Sequence, residues 1–270
     1  MVAISATDVK NLRELTGAGM MECKKALEET GGDFDKAVEA LRISGAAKAA
    51  KRGAERSTSN GLVASSGNAL ISLLCETDFV AKNDDFQKLA QKIAAAVDAG
   101  SANNLESALS LSLGDKSVAE EIESLSAVIG EKLELGKVAQ FSGDVAVYLH
   151  KRSEDLPPQV GVLVEFSGNA DTARAIAMQI AAMRPLYVNS DEVPSDIIES
   201  EKRIAEATAK EEGKPEAALP KIVEGRVQGF LKEVVLVMQP SVQDSKKSVQ
   251  QVLDEASTTI SRFARFDSAQ

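Results

Sequence analysis

The sequence is poor in the residues that most catalytic and metal-binding sites require. Its 270 residues include one His, two Cys and no Trp, and aromatic residues make up only 4%. A single His leaves no usual Ser-His-Asp triad and no His-rich metal site. Two Cys, Cys23 and Cys75, exclude a disulfide framework and are typical of a reducing compartment. We therefore expect no enzyme, no metal site and no cofactor.

Long apolar runs and an excess of positive charge are also missing. No apolar run approaches the ~18 residues of a membrane span, and the N-terminus lacks a charged segment followed by an apolar one. There are 31 Lys and Arg against 41 Asp and Glu, a net charge of −10. Gripping nucleic acid requires a cationic face, and base stacking requires aromatic rings. We expect a cytoplasmic protein that binds neither membrane nor, directly, nucleic acid.

The first 45 residues have the pattern of three short helices. Ser5 and Asp8 have the spacing of a capping box, and Ile4 and Val9 occupy the staple positions around it. Two glycines at 31–32 are expected to end the second helix, and Asp33 to cap the third. Three helices this short bury little surface, so residues 1–45 are predicted to be a compact partner-docking domain.

Residues 46–60 are predicted to be a linker. The stretch 46–53 is rich in Ala and Lys and is followed by Ser and Thr at 57–59, with few large apolar residues. A solvated, locally basic linker is the simpler interpretation. A nucleic-acid patch is the alternative.

The remainder is predicted to be an α+β core of two subdomains, 61–140 and 141–270. A strand hairpin followed by a helix occurs twice, and this order indicates two related units. The first copy is expected at strands 61–65 and 69–75 and helix 84–99. The second comprises strands 145–149 and 160–166, then a helix capped by Asp171 and ended by Pro185. Further elements are expected as a helix from Ser117, a helix at 246–256, and strands at 133–140, 234–238 and 258–266.

Residues 195–232 are predicted to form an inserted helical hairpin. Two charged helical stretches are separated by Gly213-Lys214-Pro215. Their apolar stripes are thin, as suits a projecting two-helix arm rather than a bundle core. The stripe residues are Ile197, Ile204 and Ala205 on one helix and Ile222, Val223, Val227 and Phe230 on the other. Contact with a partner, self-association and no contact at all remain open for this arm.

The densest functional signal lies at residues 75–83, between a predicted strand and a predicted helix. Two interpretations of Asp78 and Phe79 are open. In one, Phe79 folds back onto its own core and Asp78 caps the next helix. In the other, Phe79 projects as an apolar wedge for a partner's pocket, with Asp78 as a charged neighbour.

A second signal is the pair Met20-Met21. Adjacent residues on a helix point about 100° apart, so both side chains cannot face the core. We expect one of them to be exposed, and a flexible thioether suits adaptable protein contacts. The alternative is a Met that is only partly buried at the edge of the bundle.

Taken together, these segments resemble a known family. Residues 12–27 and 77–82 are similar to the two signatures of the bacterial elongation factor Ts family, and the likeness extends over essentially the whole chain. It includes the segments 32–37, 129–131, 213–215 and 222–226.

The resemblance implies a nucleotide exchange factor that binds the GTPase elongation factor Tu and speeds GDP release. The implied fold is a ubiquitin-associated-like three-helix domain followed by the two-subdomain core with its hairpin. By the same resemblance, Thr77, Asp78, Phe79 and Val80 match the loop that dislodges Mg²⁺ from the GTPase, with Phe79 as the inserted wedge. Further implied partner contacts are Arg13, Met20, Met21, Ile129 and His150.

The chain departs from the family pattern beside this loop. Ser72 and Leu74 stand where Glu and Asn are common before Cys75, and Gly136-Lys137 replaces a basic pair. A Gly inside a predicted strand weakens it, so the support of the loop is in question. Two other functional classes stay open. One is an adaptor or chaperone that binds without nucleotide exchange, and the other is an enzyme that uses Cys75 or His150.

Overall fold

A computed structural model describes residues 4–16, 18–41, 43–44 and 57–269. The predicted linker 46–60 falls largely outside these residues. Of its described part, 57–60, the last residue, Asn60, already belongs to the first strand. The strands within these described ranges are β1 (Asn60–Ser66), β2 (Ala69–Cys75), β3 (Glu134–Gln140), β4 (Asp144–His150), β5 (Val160–Ser167) and β6 (Thr259–Asp267). The helices are α1 (Ala6–Thr16), α2 (Met20–Glu29), α3 (34–41), α4 (Asp78–Ala81), α5 (Asp84–Gly100), α6 (Leu105–Leu109), α7 (Val118–Ile129), α8 (Ala170–Met183), α9 (Ser195–Glu211), α10 (Leu219–Val234) and α11 (Val249–Glu255).

The N-terminal helices begin and end at the predicted signals. Ser5 Oγ donates to the Asp8 carboxylate at 2.6 Å and accepts the Asp8 backbone N–H at 3.0 Å. After α2, Gly31 and Gly32 have φ values of +68° and +87°, which other residues rarely adopt. Asp33 accepts the backbone N–H of Lys36 at 3.1 Å at the start of α3. A small core of Val9, Leu12, Cys23, Ala26, Leu27 and Ala37 joins the three helices.

Two three-stranded sheets follow, in the orders β1-β2-β3 and β4-β5-β6. In each sheet a hairpin leads into a long helix, α5 or α8, and the third strand pairs with the second strand of the hairpin. The predicted repeat of hairpin and helix is therefore confirmed, as is the α+β class. The first apolar core lies between β1–β3 and α5 to α7, and the second between β4–β6, α8 and α11.

By its contacts the chain divides into two compact units. One comprises Met1–Gln140, Lys151–Val160 and Phe266–Gln270, and the other Phe141–His150 and Gly161–Arg265. Segment 151–160 thus belongs to the first unit although it follows β4 of the second. In the first unit, Val63 N–H donates to the carbonyl of Pro158 at 2.8 Å, and Ser268 N–H to that of Gln159 at 2.9 Å.

The departures from the family pattern at Ser72 and Gly136 lie opposite each other on β2 and β3. The β2–β3 register shifts between Ile71 and Leu73, and at this bulge Ser72 Oγ accepts the backbone N–H of Lys137 at 2.8 Å. A Cβ at position 136 would lie 2.8 Å from both Ser72 Oγ and Leu74 Cδ1. Gly136 therefore permits the close approach that the bulge requires, and β3 continues through it.

Helices α9 and α10 pack against each other, as predicted for 195–232. The predicted stripe was wrong at Ile204, whose side chain is 54% exposed. Ala205 is buried as the stripe predicted, and Ala209, which the stripe did not include, is buried with it. Adjacent residues point about 100° apart, so burial of Ala205 turns Ile204 outward.

Two other sequence predictions were wrong. No strand forms at 234–238, where α10 ends at Val234 and a 3₁₀ turn follows at Leu236–Met238. The Gln239 side-chain amide donates to the Glu233 carbonyl at 2.8 Å, and the segment keeps only one bridge, between Val235 and Tyr187. Helix α8 is capped by the side chain of Asn169, not by Asp171, which lies in the first turn. The short helices α4 and α6 had no predicted counterpart.

One carboxylate joins the strands of the second sheet. Glu165 of β5 accepts the backbone N–H of Gly143 at 2.8 Å, and it accepts two hydrogen bonds from the Arg262 guanidinium of β6, at 2.8 and 3.0 Å. The same guanidinium lies 4.3 Å from the ring centroid of Phe141. The hydrogen bonds from Arg262, then those from Gly143 and Ser261, lower the pKa of Glu165 from 4.5 to about 2.

Replacing this carboxylate is therefore expected to weaken the second unit in a pH-dependent way. Glu165→Gln should lower the free energy of unfolding near pH 7 by about 1 kcal/mol, a modest value because Arg262 is half exposed and water screens the pair. Because folding lowers the pKa of Glu165, its ionised carboxylate stabilises the folded state above about pH 4.5. This stabilisation is lost as the pH falls towards 2.

Urea denaturation of the wild type and the variant at pH 7 and pH 3 measures this difference. Less than half of the difference in unfolding free energy seen at pH 7 should remain at pH 3. Glu199→Gln, which removes an exposed carboxylate of α9, should show no such difference. An equal loss of stability at both pH values would refute the assignment.

Candidate functional site

The chain reverses sharply where β2 ends. Cys75 closes the strand, and the next six residues, 76–81, form what we call the Thr77 turn. Thr77 caps the four-residue α4, and its Oγ1 accepts the Val80 N–H at 3.4 Å. Asn83 then caps α5 by accepting the N–H groups of Asp85 and Phe86 at 2.9 and 3.1 Å. Two helix starts within seven residues force the reversal.

Phe79 projects from this turn into solvent. Its side chain is 79% exposed, while the next two residues, Val80 and Ala81, are 8% and 0% exposed. Because successive helical residues point about 100° apart, burying these two turns Phe79 outward. The inward interpretation of Phe79 was therefore wrong. Asp78 caps no helix either, since Thr77 and Asn83 do so.

The neighbours of Phe79 divide between surface and core. The Asp78 carboxylate is partly exposed and lies 3.3 Å from the Lys82 ammonium. Val80 packs into the core of the first unit. Among Thr77, Asp78, Phe79 and Val80, the ring of Phe79 is thus the one large apolar group that a partner can reach.

The base of the turn is held by the end of α7. Thr77 donates its N–H and its hydroxyl to the Glu131 carboxylate, at 3.1 and 2.6 Å. In return, the Glu76 carboxylate accepts the backbone N–H of Lys132 at 2.6 Å. Gly130, with φ +82°, ends α7 in the left-handed conformation and leads directly into Glu131.

Glu131 is the residue that the sequence analysis missed. A Gly directly after an apolar helical run indicates a helix end, so the position just beyond α7 could have been located. Its partner could not, because Thr77 lies 54 residues earlier in the chain.

Cys75 and His150, the two residues of the enzyme alternative, lie in different surroundings. The Cys75 thiol is buried and donates to the carbonyl of Thr77 at 3.1 Å. Burial first, then the nearby Glu131 carboxylate, raises the pKa of this thiol to about 12, so it is not a thiolate at neutral pH. His150 lies exposed at the end of β4, with Nδ1 3.2 Å from the Tyr148 hydroxyl. An enzyme that uses either residue gains no support.

Within residues 4–16, 18–41, 43–44 and 57–269, no group of three or more His, Cys, Asp or Glu could hold a metal ion. The helices of those same ranges include none with the length and apolarity needed to cross a bilayer.

The N-terminal bundle presents a second apolar surface. Met20 and Met21 are both exposed, by 50% and 75%, and Leu15 by 66%. Arg13 is exposed as well. We expected only one exposed Met, but both lie in the first turn of α2, where side chains point back past the helix end.

The other predicted contact residues lie apart. Ile129 is partly buried against the first core, two residues before Glu131, so the end of α7 lies beside the Thr77 turn. The structure thus brings Ile129 and Phe79 to one end of the first unit. His150 belongs to the second unit, and Arg13, Met20 and Met21 to the N-terminal bundle.

Comparison with known proteins gives one consistent result. A family model described as "Elongation factor TS" matches residues 76–270. Curated relatives called "Elongation factor Ts" include one from Nocardioides sp., 62% identical over 267 residues that cover 99% of each chain. One from Saccharopolyspora erythraea is 62% identical over 271 residues, and one from Mycobacterium tuberculosis 59% over 271, each covering 100% of both chains.

The family model matches more than half of the chain, and the relatives match it over essentially its full length. The chain belongs to the elongation factor Ts family, and its role lies in the elongation phase of protein synthesis.

Proposed function

We propose that this protein is a guanine nucleotide exchange factor for the GTPase elongation factor Tu. It promotes GDP release by dislodging Mg²⁺ and distorting the phosphate site, and it makes or breaks no covalent bond. The observation that carries the proposal is the 79% exposed ring of Phe79 on a turn whose other apolar side chains are buried. An exposed aromatic residue on a rigid support is typical of a binding hot spot.

The free energy that exchange requires exceeds what one ring supplies. A GTPase that binds GDP with a Kd of about 1 nM and an association rate constant of about 10⁶ M⁻¹s⁻¹ releases it over roughly a thousand seconds. Release in about a tenth of a second is about 10⁴-fold faster, or about 5.5 kcal/mol. Burying one Phe contributes about 1.5–3 kcal/mol. Phe79 therefore acts together with a wider interface.

We assign that wider interface to separate parts of the chain. The N-terminal residues 1–45 act as the docking domain and offer Arg13, Met20 and Met21. Ile129 and His150 add contacts from the core. Thr77 and Val80 support the wedge from within the turn, while Asp78 places negative charge beside it.

Mg²⁺ is the natural target of such a wedge. In GTPases the ion bridges the nucleotide phosphates and the protein, so displacing it removes much of the hold on GDP. By linkage, the nucleotide and the exchange factor must then weaken each other's binding by the same factor.

Removing the ring should slow exchange. Phe79→Ala is expected to reduce the maximal rate of GDP release from elongation factor Tu by about 10- to 100-fold, since it removes roughly 1.5–3 kcal/mol of burial. The measurement is the loss of fluorescently labelled GDP in stopped flow, at saturating exchange factor.

Leu186→Ala serves as the matched control, because this side chain is also apolar and 67% exposed. It should leave the rate unchanged. Full activity of Phe79→Ala would remove Phe79 from its role. If the wild type bound the GTPase without accelerating release, the protein would be an adaptor instead.

Changes in the docking surface should affect affinity rather than rate. Met20→Ser combined with Met21→Ser should raise the concentration of exchange factor that gives half-maximal release, by about ten-fold, because apolar contact is lost. The maximal rate should stay the same, since these residues are assigned to binding alone.

Titrating the double variant against elongation factor Tu loaded with labelled GDP measures both quantities. Met178→Ser, which changes an exposed methionine of α8 outside the docking domain, should leave both at their wild-type values. A lower maximal rate at an unchanged half-saturating concentration would contradict the docking assignment.

A further inference from the structure

We propose that Glu131 is a positioning residue for nucleotide exchange. Its carboxylate fixes the Thr77 turn and so holds Phe79 in the orientation that enters the partner. This inference rests on the proposed function. It goes beyond that function by assigning a role to a residue that is not one of the proposed contacts with the GTPase.

Thr77 is the point at which the turn is fastened. Its backbone N–H and its hydroxyl both donate to the Glu131 carboxylate, at 3.1 and 2.6 Å. The same hydroxyl oxygen accepts the Val80 N–H and so caps α4. One side chain therefore connects Glu131 to the helix turn that carries Phe79.

The turn needs this support because α4 is so short. A helix of four residues does not persist on its own and depends on tertiary contacts. Val80 and Ala81 supply contacts on the core side. At the start of the turn, Glu131 supplies hydrogen bonds to a charged acceptor, which are stronger than neutral ones.

Glu131 is itself held in place. Its carbonyl accepts the Ser126 hydroxyl at 2.5 Å, which ties it to α7. The neighbouring Lys132 N–H donates to Glu76 at 2.6 Å. The Thr77 turn and the segment after α7 are thus joined by two reciprocal hydrogen bonds. In each, a carboxylate of one segment accepts a backbone N–H of the other.

This arrangement pre-organises Phe79. Ordering a mobile loop during binding costs free energy, and a loop that is already ordered avoids that cost. An exposed ring on a loose turn would spread over many orientations. The ring would then deliver less of its burial energy to the distortion of the GTPase.

The decisive experiment combines exchange kinetics with ¹⁹F NMR of the ring. Glu131→Ala should lower the maximal rate of GDP release about ten-fold, because charge-assisted hydrogen bonds are lost. The half-saturating concentration should change little, since the docking surfaces remain. Glu131→Gln keeps an acceptor oxygen and should recover part of the rate. Thr77→Val should also lower the rate, and Thr77→Val combined with Glu131→Ala should cost less than the sum of the two changes, because both remove the hydrogen bond between the hydroxyl and the carboxylate.

The spectroscopic readout needs no partner. With 4-fluorophenylalanine at position 79 of the full chain, Glu131→Ala should narrow and shift the resonance towards that of a mobile ring. Glu120→Ala is the matched control, because Glu120 accepts the Ser117 N–H at the opposite end of the same helix. It should change neither the spectrum nor the exchange rate.

The outcomes separate the two proposals. If the wild type accelerates release and Phe79→Ala does not, yet Glu131→Ala keeps both the full rate and the wild-type ¹⁹F spectrum, the positioning role is overturned. If neither the wild type nor any variant accelerates GDP release, the proposed function fails. The ¹⁹F spectrum then still decides whether Glu131 orders the ring of Phe79. An equal loss of rate in Glu120→Ala would show a merely structural effect and would also overturn the proposal.

Discussion

The hydrogen bonds between Thr77 and the Glu131 carboxylate, at 2.6 and 3.1 Å, set the direction of the chain after β2. With Thr77 fixed, α4 starts at a defined place, Val80 and Ala81 enter the core, and the ring of Phe79 is left in solvent. Phe is one of the residues that are enriched in the buried core of protein interfaces relative to the rest of the surface. The same few contacts thus account for the local fold and for the candidate site.

Local signals in the sequence were sufficient for most elements. Such signals act within a few residues, so they locate helices and strands before any packing is known. They include the capping boxes at Ser5 and Ser117, the glycines at 31–32 and the apolar runs of the hairpin strands. Prediction was wrong where tertiary contacts decide. The apolar segment 234–238 has the composition of a strand, but the Gln239 side chain bonds back to Glu233 and a 3₁₀ turn forms.

The site was predicted only in part for the same reason. The residues of the Thr77 turn form one continuous segment and were recognised from it, but neither the outward direction of Phe79 nor the role of Glu131 could be read there. The outward direction follows from the burial of Val80 and Ala81 in the core, and Glu131 contacts Thr77 from 54 positions away in the sequence. The departures at Ser72 and Gly136 likewise made sense only as a pair, because each accommodates the other across β2 and β3.

The central claim is that the ring of Phe79 enters the GTPase beside its Mg²⁺ and phosphate site. The most direct measurement replaces Phe79 with the photoreactive analogue p-benzoylphenylalanine, irradiates the complex with nucleotide-free elongation factor Tu, and maps the cross-linked residues by mass spectrometry. We expect cross-links to segments of the GTPase that line the Mg²⁺ and phosphate site, and we expect their loss when excess GDP and Mg²⁺ displace the exchange factor. Cross-links confined to a surface remote from the nucleotide, or none in a complex that forms normally, would contradict it.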